Sequence, residues 1–244
     1  MLDDILTVMW KERKTLFRFR GSRSRFLLTG MAPVLFAIVF PWQWGPDWVE
    51  EIPSLILSAL IAVLLVGMTI PESFAGERER NTLNTLLASR LPDRAILFGK
   101  MAVSIALAWG VTVLVLLLSL VTVNIAHYDG TLLLYSPAIA IGDLVLSFLM
   151  ASLFASAGVL ISMRSETVQQ AAQLLMAIFL VPVMVLQLVA MVFMTQLNEL
   201  LKPFIDSLDG ERVLIIALGV LLVITMGVFA AAVARFRRTR LFLA

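Results

Sequence analysis

The chain has 244 residues, of which 60% are hydrophobic and only 15% charged. A water-soluble domain carries about 25% charged residues, so much of this surface has to face lipid, and the apolar runs leave room for one membrane domain. With no cysteine, disulfides, thiol catalysis and cysteine-ligated metals are excluded; the single histidine, His127, excludes a multi-histidine metal site, and a net charge of +2 gives no reason to expect a nucleic-acid partner.

In chain order, the first predicted element is a helix over residues 2–20, within a basic N-terminal stretch of 1–24. Leu2, Ile5, Leu6, Met9, Leu16 and Phe17 fall near helical spacing, with Lys11, Arg13, Lys14 and Arg18 between them. The pattern is that of an amphipathic helix lying in a membrane interface, and Trp10 suits that depth. The stretch does not have the form of a cleaved signal: Asp3 and Asp4 come early, and the basic residues follow the first apolar positions.

A spanning helix needs about 20 largely apolar residues. Six stretches qualify: 26–42, 54–71, 96–126, 137–163, 168–194 and 213–234. The third is longer than a bilayer requires, so it tilts or extends beyond it. Trp42, Trp44 and Trp48, with Pro41 and Pro46, read as an aromatic belt at the outer end of the first span. The fourth span is rich in small residues, with Ala151/Ala155 and Ser152/Ser156 at spacings of four, the pattern of close helix packing in lipid. Between spans five and six, residues 195–212 are expected to form short outer helices, with Leu197, Leu200, Leu201, Phe204 and Leu208 at amphipathic spacing.

Six spans place all of the 19 basic residues except Lys202 and Arg212 on one side of the membrane. By the positive-inside rule that side is the cytoplasm, and it holds both termini. The expected class is therefore an all-α polytopic membrane protein in the plasma (inner) membrane of a prokaryote.

Catalytic motifs are missing. There is no G-x-x-x-x-G-K-[ST] phosphate loop, no H-E-x-x-H and no G-x-S-x-G. Two acidic residues stand at the margins of spans and are candidate gate or substrate contacts: Asp143, just inside the outer end of span four, and Glu72, at the inner end of span two after Pro71.

The most informative segment is the predicted cytoplasmic loop 76–95. Glu77, Arg78, Glu79 and Arg80 alternate in charge; Asn81 or Thr82 can cap a short helix whose Leu83, Leu86 and Leu87 form an i, i+3, i+4 apolar face; Pro92 ends it, and Asp93 can cap the next span. Arg90 and Arg94 add positive charge. So small an apolar face needs a partner to bury it.

This segment resembles the signature of ABC exporter permeases of the type-2 class, which runs approximately E-x-x-x-G-T-L-E-x-L-L-x-x-P-L-x-x-x-x-I-L-x-G-K. Glu77, Thr82, Leu83, Leu86, Leu87, Leu91, Ile96, Leu97, Gly99 and Lys100 match it, while Asn81, Asn84 and Arg90 replace the usual Gly, Glu and Pro. The resemblance implies a coupling helix that docks on a separate ATP-binding-cassette ATPase subunit, with Leu83, Leu86 and Leu87 buried in its cleft. Glu77, Arg78, Glu79, Arg80, Asn81, Thr82, Arg90 and Arg94 would surround that contact. It also implies a second permease copy, identical or related, and a chain that is itself non-catalytic, ATP and Mg being bound by the partner. The apolar spans lean towards a hydrophobic, amphiphilic or lipid-linked cargo. Two rival classes make different demands. An ion-coupled secondary transporter needs charge near the bilayer midplane, and a membrane-embedded enzyme or assembly factor needs a polar cluster at one interface.

Overall fold

The computed structural model describes residues 1–17, 23–80, 82, 90–193 and 210–236. The regular elements among them are all helical: α1 (Leu2–Phe17), α2 (Arg23–Trp44), α3 (Asp47–Glu50), α4 (Pro53–Glu79), α5 (Asp93–Ala126), α6 (Pro137–Ser162), α7 (Val168–Val192) and α8 (Gly210–Arg235). Five of them, α4 to α8, are long and apolar enough to cross a membrane, and Met31–Trp44 of α2 forms a shorter apolar helix where the first span was expected.

The helix starts follow local chemistry. Ser136 caps α6 by accepting the Ile139 amide at 3.3 Å, and Pro137 fills the first helical position, where a missing N–H costs nothing. Thr167 does the same for α7, accepting Gln170 N at 3.2 Å. At α5 the cap position is taken by Pro92 in an extended conformation, and Asp93 stands inside the first turn, where its charge favours the helix dipole. α5 has 34 residues, about 51 Å at 1.5 Å per residue, against about 30 Å of hydrocarbon. Its surplus length is used at one end, where α1 packs along it.

The small-residue pattern of α6 serves packing within the chain. α4 and α6 form the most extensive helix pair, with α5, α7 and α8 around them. A Cβ on Gly158 of α6 would lie 2.8 Å from Ile70 Cγ2 of α4, so that contact requires glycine. The main core joins Val63, Val66, Ile70 and Phe74 of α4 to Ile96, Leu97 and Met101 of α5 and Phe154, Ala155 and Val159 of α6. A second cluster at the opposite end joins Ala37, Trp48, Val49, Leu57, Ile61, Val115 and Val123. In contrast, α7 and α8 leave nearly all their large apolar side chains exposed, as a lipid-facing or protein-facing surface requires.

Trp48 corrects the aromatic-belt expectation. Trp42 and Trp44 are exposed, but Trp48 is 1% exposed. Gly45, at φ +60, turns the chain out of α2 and into α3, which carries Trp48 inward to stack on Phe40. Its indole N–H donates to the Tyr135 hydroxyl at 3.2 Å, which in turn reaches Leu116 O at 3.2 Å. Burial, the largest cause, and the charge of Asp143 push the Tyr135 phenol up from its ordinary value, against the Trp48 hydrogen bond.

Candidate functional site

At the end of the bundle that carries α1, that helix, α5 and the α6–α7 turn converge on the last two turns of α4. The sequence reading placed Glu77, Arg78 and Glu79 in a loop; they are the final turn of α4, which runs on past Pro71 to Glu79. The helix survives there because each of these side chains, like Glu72 before them, has a partner.

Lys100 of α5 is the centre. Its side chain is 1% exposed. Nζ donates to Glu12 Oε1 of α1 at 2.9 Å and to Ser73 O and Oγ of α4 at 2.7 and 3.3 Å, and forms an ion pair with Glu77 Oε1 at 3.1 Å. The three hydrogen bonds use the three protons an ammonium has. Ser73 Oγ donates to Glu12 Oε2 at 3.0 Å, and Lys11 Nζ adds a second ion pair to Glu77 Oε1 at 3.2 Å. Nζ also stands 5.3 Å from the Phe74 ring, whose edge meets Phe236 at 5.9 Å. Two carboxylates, Glu12 and Glu77, thus face two ammonium groups, Lys100 and Lys11. The charge balances, which is the condition under which buried ions are tolerated.

The neighbouring side chains tie α4 to the α6–α7 turn. Arg78 donates through Nη2 to Met163 O at 2.8 Å and through Nη1 to Ser165 O at 3.2 Å. Glu79 Oε2 accepts the Val168 amide at 3.1 Å, placing a negative charge at the N-terminus of α7. Arg80 pairs with Glu72 one helical face back, at the exposed edge. Thr82 is pinned to the end of the helix, its amide donating to Glu77 O at 2.9 Å and its hydroxyl to the same oxygen at 3.2 Å.

α1 is held by shape as well as by charge. Ile5, Val8, Met9 and Glu12 lie at i, i+3, i+4 and i+7, and Val8 and Glu12 are buried. A Cβ on Gly99 of α5 would lie 2.7 Å from Val8 Cβ, so this close approach of α1 depends on glycine. Leu2, Leu6 and Trp10, with Lys14 over the Trp10 ring at 4.8 Å, form the opposite, exposed stripe.

Of the sequence-predicted residues, Glu72, Glu77, Arg78, Glu79, Arg80 and Thr82 are brought together here. Arg90 and Arg94 are exposed at the start of α5. Asn81, Leu83, Leu86 and Leu87 lie outside the described residues, as does the stretch 194–209 that contains most of the expected outer helices. Asp143 is elsewhere, buried in α6 near its start. Reasoning from sequence missed Glu12, Lys11 and Ser73. Glu12 had a visible signal, an acid on the apolar stripe of an amphipathic helix, which needs a buried cation to answer it.

Ser73, Glu12 and Lys100 are hydrogen-bonded to one another and all buried, and among the described residues no group of three His, Cys, Asp or Glu side chains could hold a metal. The site welds α1, α4, α5 and the α6–α7 turn together beside the segment 81–89. A family model described as ABC-2 type transporter matches residues 3–187, from α1 into α7. No curated protein matches the chain.

Proposed function

The chain belongs to the ABC-2 type transporter family and is a multi-pass membrane protein, and from that premise we propose that it is the permease subunit of an ATP-binding-cassette exporter driven by a separate ATPase chain. The observation that carries this reading is the convergence on the end of α4. The segment 81–89 leaves a helix whose final turns are joined to α1, α5 and the α6–α7 turn by charge-assisted bonds. A force applied to that segment would move these elements as one body, which is what converts closure of a partner into opening of a pathway.

In this reading Leu83, Leu86 and Leu87 bury in a cleft of the ATPase. Arg90, Arg94 and Thr82, which are exposed, flank the contact, and so does Asn81. Glu77, Arg78 and Glu79 act from inside, holding the end of α4 to the bundle. ATP and Mg belong to the partner. The side carrying α1 and the end of α4 is cytoplasmic, six spans complete the topology, and the exposed stripe of α1 with Leu2, Leu6 and Trp10 rests in the lipid interface. The exposed apolar faces of α7 and α8 serve lipid and a second permease copy, in a prokaryotic inner membrane. The cargo is hydrophobic or amphiphilic, since the described spans offer little charge to a polar one.

Leu86→Asp tests the reading. The variant should insert and fold but lose the ATPase from a mild-detergent pull-down and lose stimulation of ATP hydrolysis. Undiminished binding with full stimulation would overturn it.

A further inference from the structure

At the end of the bundle away from α1, Asp143 of α6 is 1% exposed and neither of its carboxylate oxygens has a hydrogen-bond partner. The hydroxyls beside it come from the first turns of α4, Ser54 and Ser58, both with no exposed surface. Neither closes a bond to the carboxylate. Ser58 Oγ donates to Leu55 O at 3.0 Å, and Ser54 Oγ is itself unpartnered. The surroundings are tight and apolar: a Cβ on neighbouring Gly142 would stand 3.1 Å from Leu55 and 3.0 Å from Leu214, so α4, α6 and α8 meet at this point.

A buried carboxylate without hydrogen bonds or an opposing charge is costly. None of the basic side chains in the ion pairs among the described residues reaches Asp143. What surrounds it is a set of hard oxygens, two from the carboxylate and two from hydroxyls, with lone pairs free to coordinate. Hard oxygens suit alkali and alkaline-earth cations. Charge then selects between them. One carboxylate balances one positive charge, whereas a divalent ion would leave an excess buried charge, and among the described residues no group of three potential metal-binding His or acidic side chains exists to neutralise it. The close packing at Gly142 selects a small ion.

We propose that Asp143, Ser54 and Ser58 bind a dehydrated alkali-metal cation of sodium size, which bridges the outer turns of α4 to α6.

The full-length chain, purified in mild detergent, is unfolded thermally in sodium chloride and in N-methylglucamine chloride at equal ionic strength. A ligand that binds only the folded state raises its midpoint in proportion to the logarithm of concentration. Sodium should raise the midpoint by several degrees, the rise beginning near its dissociation constant and continuing with the logarithm of concentration, and potassium should raise it by less. Asp143→Asn should abolish the sodium-dependent part, and Ser54→Ala should move the onset of the rise to higher sodium. Identical midpoints in the two salts would overturn the proposal, and so would a sodium shift that survives Asp143→Asn. Should Asp143→Asn fail to fold, an unchanged onset in Ser54→Ala overturns it alone. An infrared band of a protonated carboxyl that Asp143→Asn removes and sodium leaves intact would also overturn it, by showing the group to be neutral.

Discussion

Lys100 and Asp143 are both almost completely buried charged residues on neighbouring helices, at opposite ends of the bundle, and their surroundings could hardly differ more. Lys100 uses all three ammonium protons, has two carboxylates in contact and an aromatic ring beside it. Asp143 has two serine hydroxyls beside it and no hydrogen bond. In the first arrangement each buried charge faces an opposite charge within the chain, and Glu77 Oε2 alone of its carboxylate oxygens is buried without a hydrogen bond. The second needs something more. Burial alone therefore does not mark a binding site in this protein; an unanswered charge does.

The sharpest way to break the contrast is to remove one member of the complete network. Lys100→Met leaves Glu12 and Glu77 buried without their central cation and should cost about 3–5 kcal/mol, read as a lower unfolding midpoint and as release of α1 to proteolysis. Adding Glu12→Leu and Glu77→Leu should restore most of that loss, because an apolar replacement of a whole buried ion cluster is close to neutral. If the triple variant is no better than the single, charge balance is not what the network provides.

Next in size is Gly99→Ala. The new methyl would meet Val8 at 2.7 Å and Ile5 O, and overpacking of that kind costs about 1–3 kcal/mol. The loss should be confined to α1, visible as faster amide exchange there with the rest of the bundle unchanged.

Arg78→Ala removes two charge-assisted bonds from the α6–α7 turn. It should cost about 1.5 kcal/mol in stability. Its clearer signature is functional: ATPase binding retained, transport reduced, because the end of α4 no longer carries the turn with it. Equal loss of binding and transport would place Arg78 on the partner's surface instead.

Asp143→Asn should have the smallest effect of the four in sodium-free buffer, within about 1 kcal/mol and in the stabilising direction, since a neutral amide replaces an uncompensated charge. A loss comparable to that of Lys100→Met would erase the contrast between the two ends.

Much of the frame was legible in the residues. Apolar runs of spanning length located α5 to α8 to within a few positions and the start of α4, though not its last eight residues, because each run has to bury its backbone hydrogen bonds in a helix whatever its neighbours are. Pro137 stood at the expected start of span four, and it opens α6 at the first helical position. Where the reading went astray, a distant partner was the reason. Glu77 to Glu79 looked like loop residues because four successive charges do not suit a span; they are helical because Lys100, Lys11, the Met163 and Ser165 carbonyls and the Val168 amide answer them. Trp48 looked like an interfacial anchor because it stands close to two other tryptophans, Trp42 and Trp44; the turn at Gly45 and the Phe40 ring take it inside.

By itself, then, the sequence determined the class of the protein and the positions of its long helices, since these depend on hydrophobicity and on hydrogen bonds closed within a few residues. Only the tertiary structure decided which charges are spent inside the molecule and which are left over. Glu12 and Lys100 are 88 positions apart, and Asp143 is about as far from Ser54; no local pattern encodes those distances, because they are set by which helix faces pack together.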